Sequence, residues 1–153
     1  MNNMLFSPFS KATCEVFKLM LDIDASVSKL ESINGPVEDK DCVHVSVGLT
    51  GDLLGEIIYC FPNDTTLKIV NIMSGMEIDQ IDEFVTSALS EISNIISGNA
   101  MTILSEENFA CDILPPRIIT DMDDASSGEI DKETVIRVNT SVGEMELDIR
   151  LKA

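Results

Sequence analysis

The sequence predicts an α/β (α+β) protein in which a mainly antiparallel β-sheet is flanked by helices. Three observations favour this class. Segments of alternating, β-branched residues occur in runs, amphipathic helical segments separate the runs at two points, and tight turn signals join neighbouring strands. No stretch has the composition of a linker, so residues 1–153 are expected to form a single domain.

The first half of the chain predicts one helix and three strands. Pro8 suits the first turn of a helix, and apolar residues at helical spacing extend it to about Asp22. An extended stretch over residues 25–33 follows and ends in a turn signal. Residues 42–49 and 55–61 alternate in polarity around a short Thr-Gly-Asp segment, which is typical of a β-hairpin.

The second half opens with two helices. A short helix is predicted over residues 64–73, with Gly75 supplying its left-handed C-cap. A longer helix is predicted over residues 79–104, with acidic residues at its positive N-terminal end. Extended stretches over residues 109–114 and 117–120 follow, separated by two prolines.

The C-terminal part predicts an acidic loop and two strands. Residues 121–133 are polar and acidic and are expected to form a long loop before strands over 134–141 and 144–151. A calcium-binding loop is the functional alternative for this segment. An EF-hand loop that began at Asp121 would need Gly at its sixth position and Glu at its twelfth, where Ser126 and Lys132 stand instead.

The charge balance excludes two classes of partner. Lys plus Arg number 10 against 27 Asp plus Glu, a formal charge of −17, so the chain repels nucleic-acid phosphates and anionic membranes. The N-terminus lacks the pattern of a signal peptide, and no apolar run approaches the ~20 residues of a membrane span. We therefore expect a cytoplasmic protein that binds neither nucleic acid nor membrane.

The four cysteines are widely separated and form no Cys-x-x-Cys pair. A single histidine, His44, cannot complete a zinc set of ordinary spacing. Its place between two valines of a predicted strand favours a partly exposed strand residue over a catalytic base. We expect reduced cysteines and no metal site.

The long predicted helix carries two stripes of side chains. At about 100° per residue its apolar residues share one broad arc, while Ser87, Glu91, Asn94 and Gly98 form a second stripe. The second stripe lies roughly 120° from the centre of the apolar arc and should face outward. By spacing alone, a Glu and an Asn on the exposed face of a helix are usually ordinary solvated surface. The residues assigned to the apolar arc are Ile81, Phe84, Val85, Ala88, Ile92, Ile95 and Ile96.

This stripe lies in a motif that resembles a known family. Residues 87–94 fit the pattern Asp or Ser, three residues, Glu, two residues, Asn, and Gly98 follows after three more residues. Twenty-one residues separate Asn94 from Pro116, one fewer than in the family's motif. With similar stretches upstream, residues 6–152 resemble the CheC/CheX/FliY family of chemotaxis phosphatases, most of all its CheX members.

The resemblance implies a CheC-like fold with a pseudo-twofold internal duplication, and a homodimer. It implies hydrolysis of the aspartyl phosphate of a phosphorylated CheY-type response regulator. Asn94 would orient the attacking water, Glu91 would pair with the regulator's active-site Lys, and Ser87, Gly98 and Pro116 would contact the regulator. No cofactor of its own is implied, since Mg²⁺ would be bound by the phosphorylated partner.

The duplication raises the question of a second site in the first helix. Superposed on the long helix, the first helix places Lys11, Glu15 and Lys18 at the motif positions. The Glu is retained, but a Lys replaces the Asn, and an ammonium cannot accept a hydrogen bond from water as an amide carbonyl can. We therefore expect one active site in each chain.

Two other functions would make different demands on these residues. A non-catalytic adaptor that binds a regulator or a flagellar-switch component would not require both Glu91 and Asn94. A hydrolase that works with paired carboxylates would need a second acid beside Glu91 on the stripe, and none stands there.

Overall fold

The computed structural model describes residues 5–30, 41–119 and 130–152. Within these ranges the element order is the predicted one, with four strands after the last helix. The elements are α1 (Phe6–Leu21), β1 (Ala25–Leu30), β2 (Cys42–Gly51), β3 (Gly55–Pro62), α2 (Asn63–Ser74), α3 (Glu83–Glu106), β4 (Cys111–Ile113), β5 (Arg117–Ile119), β6 (Ile130–Thr140) and β7 (Gly143–Lys152).

The strands form one antiparallel sheet, which confirms the predicted fold class. The strand order is β1-β6-β7-β3-β2-β4, and β5 also pairs with β2. Because β4 pairs with residues 49–51 and β5 with residues 44–46 of β2, the two short strands form successive parts of one edge. Residues 114–116 lie between them, and their two prolines suit an interrupted edge since proline has no N–H for a strand ladder.

The helices pack on one face of this sheet. Alternate residues of the central strands, such as Val45, Tyr59 and Leu147, join the buried sides of all three helices in one apolar core. These three residues are paired across neighbouring strands, so their side chains lie in one row. Each such fully buried side chain contributes about 1.5–3 kcal/mol to folding, which makes this layer the main source of stability.

The opposite face of the sheet carries a largely buried ionic network. Arg150 contacts Asp148 at 3.0 Å and Glu133 at 3.5 Å. Burial raises the pKa of Asp148 to about 7, and a hydrogen bond to Glu133 acts in the same direction, against the charge of Arg150. Two carboxylates therefore share one guanidinium. A small apolar cluster on the same face consists of Ile58, Cys60 and Ile119.

The prediction for the start of the long helix was wrong. The helix begins at Glu83, not at residue 79, because the side chain of Asp82 accepts a hydrogen bond from the backbone N–H of Val85 at 3.1 Å and caps the helix there. Ile81 consequently precedes the helix. The predicted cap of α2 is confirmed, since Gly75 has φ 71° and its N–H donates to the carbonyl of Asn71.

The prediction for the acidic loop was partly wrong. β6 begins at Ile130, four residues before the expected strand, because the chain from there on pairs with β7. Pairing keeps polar residues such as Glu133 in an extended strand. The rest of this loop, residues 121–129, lies outside the described residues, as do residues 31–33 of the first predicted strand. None of the four cysteines, all of which lie in the described ranges, forms a disulfide bond.

Candidate active site

The long helix α3 is anchored by a buried polar contact as well as by its apolar face. The hydroxyl of Tyr59 on β3 lies 2.6 Å from Oγ of Ser97 on α3, and neither side chain is exposed. Burial raises the pKa of Tyr59, so the phenol stays protonated and can donate this hydrogen bond. Because a buried hydroxyl without a partner is costly, the contact favours one rotation of α3 on the sheet.

That rotation directs the predicted stripe outward. Ser87 and Glu91 are exposed, while Asn94 and Gly98 are half-buried. Within the described ranges, the side chains of Ser87, Glu91 and Asn94 have no hydrogen bond or ion pair. The carboxylate and the amide lie one helical turn apart, about 4.5 Å along the axis, and are available to a binding partner.

Gly98 continues the stripe by one turn. A Cβ atom added there would meet no atom of the surrounding structure within 4 Å. Glycine in a helix costs about 1 kcal/mol relative to alanine, and internal packing does not require it at this position. The position instead leaves the helix backbone uncovered at the surface.

Pro116 lies in the connection between β4 and β5 and is half-buried. Both of these short strands contact α3, so the connection is held near the same helix. The N–H of Leu114 donates to the carbonyl of Gly48 at 2.9 Å, which ties the connection to the sheet edge. The structure thus brings Ser87, Glu91, Asn94 and Gly98 together on one stripe and sets Pro116 on a neighbouring element.

The prediction that Phe84 belongs to the apolar arc that the long helix buries was wrong. Its side chain is 49% exposed, and it belongs neither to the core nor to the half-buried residues that pack against the core. At about 100° per residue, Phe84 lies roughly 60° from Ser87, near the outward stripe. The helical wheel therefore indicates an exposed position for Phe84, whereas the apolar side chain by itself favours a buried one.

The corresponding stripe of α1 differs in its chemistry. Lys18 is exposed and forms ion pairs with Asp22 at 3.5 Å and Asp24 at 3.4 Å. The contacts with Asp24, and then Asp22, raise the pKa of Lys18, so the position of the Asn in the motif carries a fixed positive charge in α1. The absence of a second active site remains a prediction.

Among residues 5–30, 41–119 and 130–152, no group of three or more His, Cys, Asp or Glu side chains is arranged to hold a metal ion. None of the helices described is both long enough and apolar enough to span a membrane.

Comparison with solved structures identifies the fold class. A CheC-like superfamily protein from Shewanella sp. PV-4 superposes with a TM-score of 0.79 at 23% identity, covering 100% of both chains. A chain of the CheX-CheY-BeF3-Mg complex from Borrelia burgdorferi gives a TM-score of 0.76 at 25% identity, covering 97% of each chain. The molecule therefore has the CheC-like fold.

Sequence comparison narrows this class to one family. Residues 43–144, about two thirds of the chain, match the family model described as chemotaxis phosphatase CheX. The CheY-P phosphatase CheX of Thermotoga maritima is 31% identical over 110 residues, which are 71% of this chain and 70% of that protein. The chain belongs to the CheX family of chemotaxis phosphatases. All five candidate site residues lie inside the matched segment.

Proposed function

We propose that the protein hydrolyses the aspartyl phosphate of a phosphorylated CheY-type response regulator, and that Glu91 and Asn94 carry the reaction. Its membership of a phosphatase family supports the activity. The observation that carries the residue assignment is that both side chains are unpaired on the outward stripe of α3, within the part of the chain described.

In the proposed mechanism the chain supplies position, not a covalent intermediate. The amide of Asn94 enters the regulator's site and holds a water in line with the phosphorus. The water oxygen bonds to phosphorus as the bond to the aspartyl oxygen breaks, so the products are inorganic phosphate and the restored carboxylate. Phosphoryl transfer proceeds through a loose transition state, so alignment of the nucleophile is the main contribution that a second protein can make.

Glu91 sets the register of docking. Its carboxylate would form a charge-assisted contact with the active-site Lys of the regulator, and the one-turn spacing to Asn94 would then fix the amide beside the phosphoryl group. Ser87, Gly98 and Pro116 would contact the regulator around this pair. The Mg²⁺ that neutralises the phosphoryl group would be bound by the regulator, and the chain would need no cofactor of its own.

The direct test is release of phosphate from a phosphorylated CheY-type regulator in the presence of Mg²⁺. The wild-type chain should accelerate release over the regulator alone, and the double variant Glu91→Gln/Asn94→Ala should not. A wild-type chain that binds the regulator but leaves its phosphate in place would establish the adaptor function instead. Equal rates for the wild type and the double variant would overturn the residue assignment.

Gly98→Ala should move stability and activity in opposite directions. We expect the free energy of unfolding to rise by about 1 kcal/mol, because alanine favours the helix and the added methyl group meets open space. The same methyl group would stand between α3 and the docked regulator and slow phosphate release by roughly tenfold. Urea unfolding and the release assay check the two effects, and a stabilised variant with unchanged activity would show that the regulator does not approach Gly98.

A homodimer and a cytoplasmic location complete the proposal. In the part of the chain that the structure describes, β1 is an edge strand that pairs only with β6. A second chain can extend a sheet by adding a strand at an edge of this kind, which supports a dimer joined through the sheets. The molar mass measured by light scattering during size-exclusion chromatography should be twice that of the 16.7 kDa chain.

A further inference from the structure

We infer that Phe84 is an apolar docking residue for the response regulator and extends the catalytic stripe by one helical turn. This inference rests on the proposed function, since the regulator is its partner. Phe84, Ser87, Glu91, Asn94 and Gly98 follow one another at alternating steps of three and four residues. They therefore lie along one side of α3, within an arc of about 80°.

The exposure of Phe84 has no explanation inside the described structure. The side chain is 49% exposed and is outside the core cluster, although α3 buries Val85 and Leu89 completely. Single exposed apolar residues are common, and six other large ones occur in the described ranges. Phe84 differs from the other six because it alone is on the side of α3 that carries Glu91 and Asn94.

The start of α3 holds this side chain in a defined direction. The Asp82 cap fixes the first turn of the helix, and Phe84 is the second residue of that turn. An aromatic ring has few rotatable bonds, so a ring on a capped helix presents apolar surface at a small entropic cost of binding. The stripe consequently has a rigid apolar end at Phe84 and a bare backbone end at Gly98.

The spacing defines what the regulator must present. Along the helix axis Phe84 lies about 10 Å from Glu91 and about 15 Å from Asn94, at ~1.5 Å per residue. The regulator should therefore carry an apolar surface about 10 Å from the Lys that contacts Glu91. The exposed acidic residues Asp82 and Glu83 immediately precede Phe84 at the start of α3, so the regulator should carry basic residues on the side of its apolar surface that meets the N-terminus of the helix. An acidic partner surface would be repelled.

The test separates docking from chemistry. Steady-state phosphate release is measured for Phe84→Ala, together with the affinity for the regulator carrying beryllofluoride and Mg²⁺ in place of the phosphoryl group. We expect KM and Kd to rise about tenfold with kcat unchanged, as for loss of an aromatic anchor remote from the reacting atoms. Phe84→Leu should restore most of the affinity.

A matched control is Leu54→Ala, which truncates a side chain of nearly equal exposure, 51%, in the turn between β2 and β3. It should change neither KM nor kcat. Unchanged KM and Kd for Phe84→Ala would overturn the inference while leaving the phosphatase mechanism intact. A wild-type chain that binds the regulator, loses affinity on Phe84→Ala and releases no phosphate would retain the docking role and overturn the proposed function.

Discussion

Asn94→Ala is expected to slow the release of phosphate from the regulator by about 100-fold, with a smaller effect on binding. In the proposed mechanism the amide of Asn94 holds the attacking water. Removing a group that aligns or stabilises the reacting atoms typically lowers the rate by a factor of about 10²–10³. Glu91 would remain to dock the regulator, so kcat should fall far more than KM rises. Single-turnover decay of the phosphorylated regulator, at saturating concentration of the variant, measures the chemical step directly.

Asn99→Ala is the matched control for this change. Asn99 has the same side chain on the same helix and is also half-buried, but it lies roughly 140° around the helix from Asn94. Its truncation should leave the rate within twofold of wild type. If Asn94→Ala released phosphate as fast as the wild type, the assignment of the water to Asn94 would be wrong. A similar loss in both variants would indicate a general effect on α3.

Arg150→Met is expected to lower the free energy of unfolding at pH 8 by about 3–5 kcal/mol. The guanidinium is the cation shared by Asp148 and Glu133, and the side chains of Asp148 and Arg150 are 1% and 12% exposed. Methionine has a similar length but no charge, so two largely buried carboxylates would lose their partner. Urea unfolding measures the effect, and a loss below about 1 kcal/mol would mean that water reaches these carboxylates.

Asp148→Asn is the informative counterpart. Its pKa is raised to about 7 in the folded protein, against about 4 in an unfolded chain. Between about pH 4 and pH 7 the folded state therefore holds a proton on Asp148 that the unfolded chain lacks. The stability that this proton contributes is complete below about pH 4 and is lost as the pH rises through 7. Asparagine removes this dependence and leaves Glu133 as the carboxylate that forms an ion pair with the guanidinium. The variant should be at least as stable as the wild type at pH 8, with a flatter pH profile.

The sequence was sufficient for the elements whose signals are local. The hairpin of β2 and β3 could be predicted because alternation and turn residues occur within the 21 consecutive positions from Cys42 to Pro62. The outward stripe of α3 could be predicted because helical geometry alone sets the relative directions of Glu91 and Asn94. Their chemistry came from the family resemblance and not from spacing, since a solvated Glu and Asn have the same pattern.

The features that the sequence did not reveal depend on contacts between distant residues. Asp79 and Asp82 are both possible caps, and only the folded backbone shows that the carboxylate of Asp82 meets the N–H of Val85. The contact between Tyr59 and Ser97 joins residues 38 positions apart. The sharing of Arg150 by two carboxylates similarly requires the register of β6 on β7, which no local pattern specifies.

The two faces of the sheet constrain the sequence for different reasons, one for binding a partner and the other for stability. The helices and the proposed active site occupy one side, and the ionic network around Arg150 occupies the other, so substitutions on the two sides share few contacts and their effects on free energy should add. Residues of the α3 stripe could then diverge toward a different regulator without a compensating change near Arg150. An architecture of this kind lets partner choice evolve at little risk to folding, and it makes the stripe a practical target for redirecting the phosphatase to another regulator.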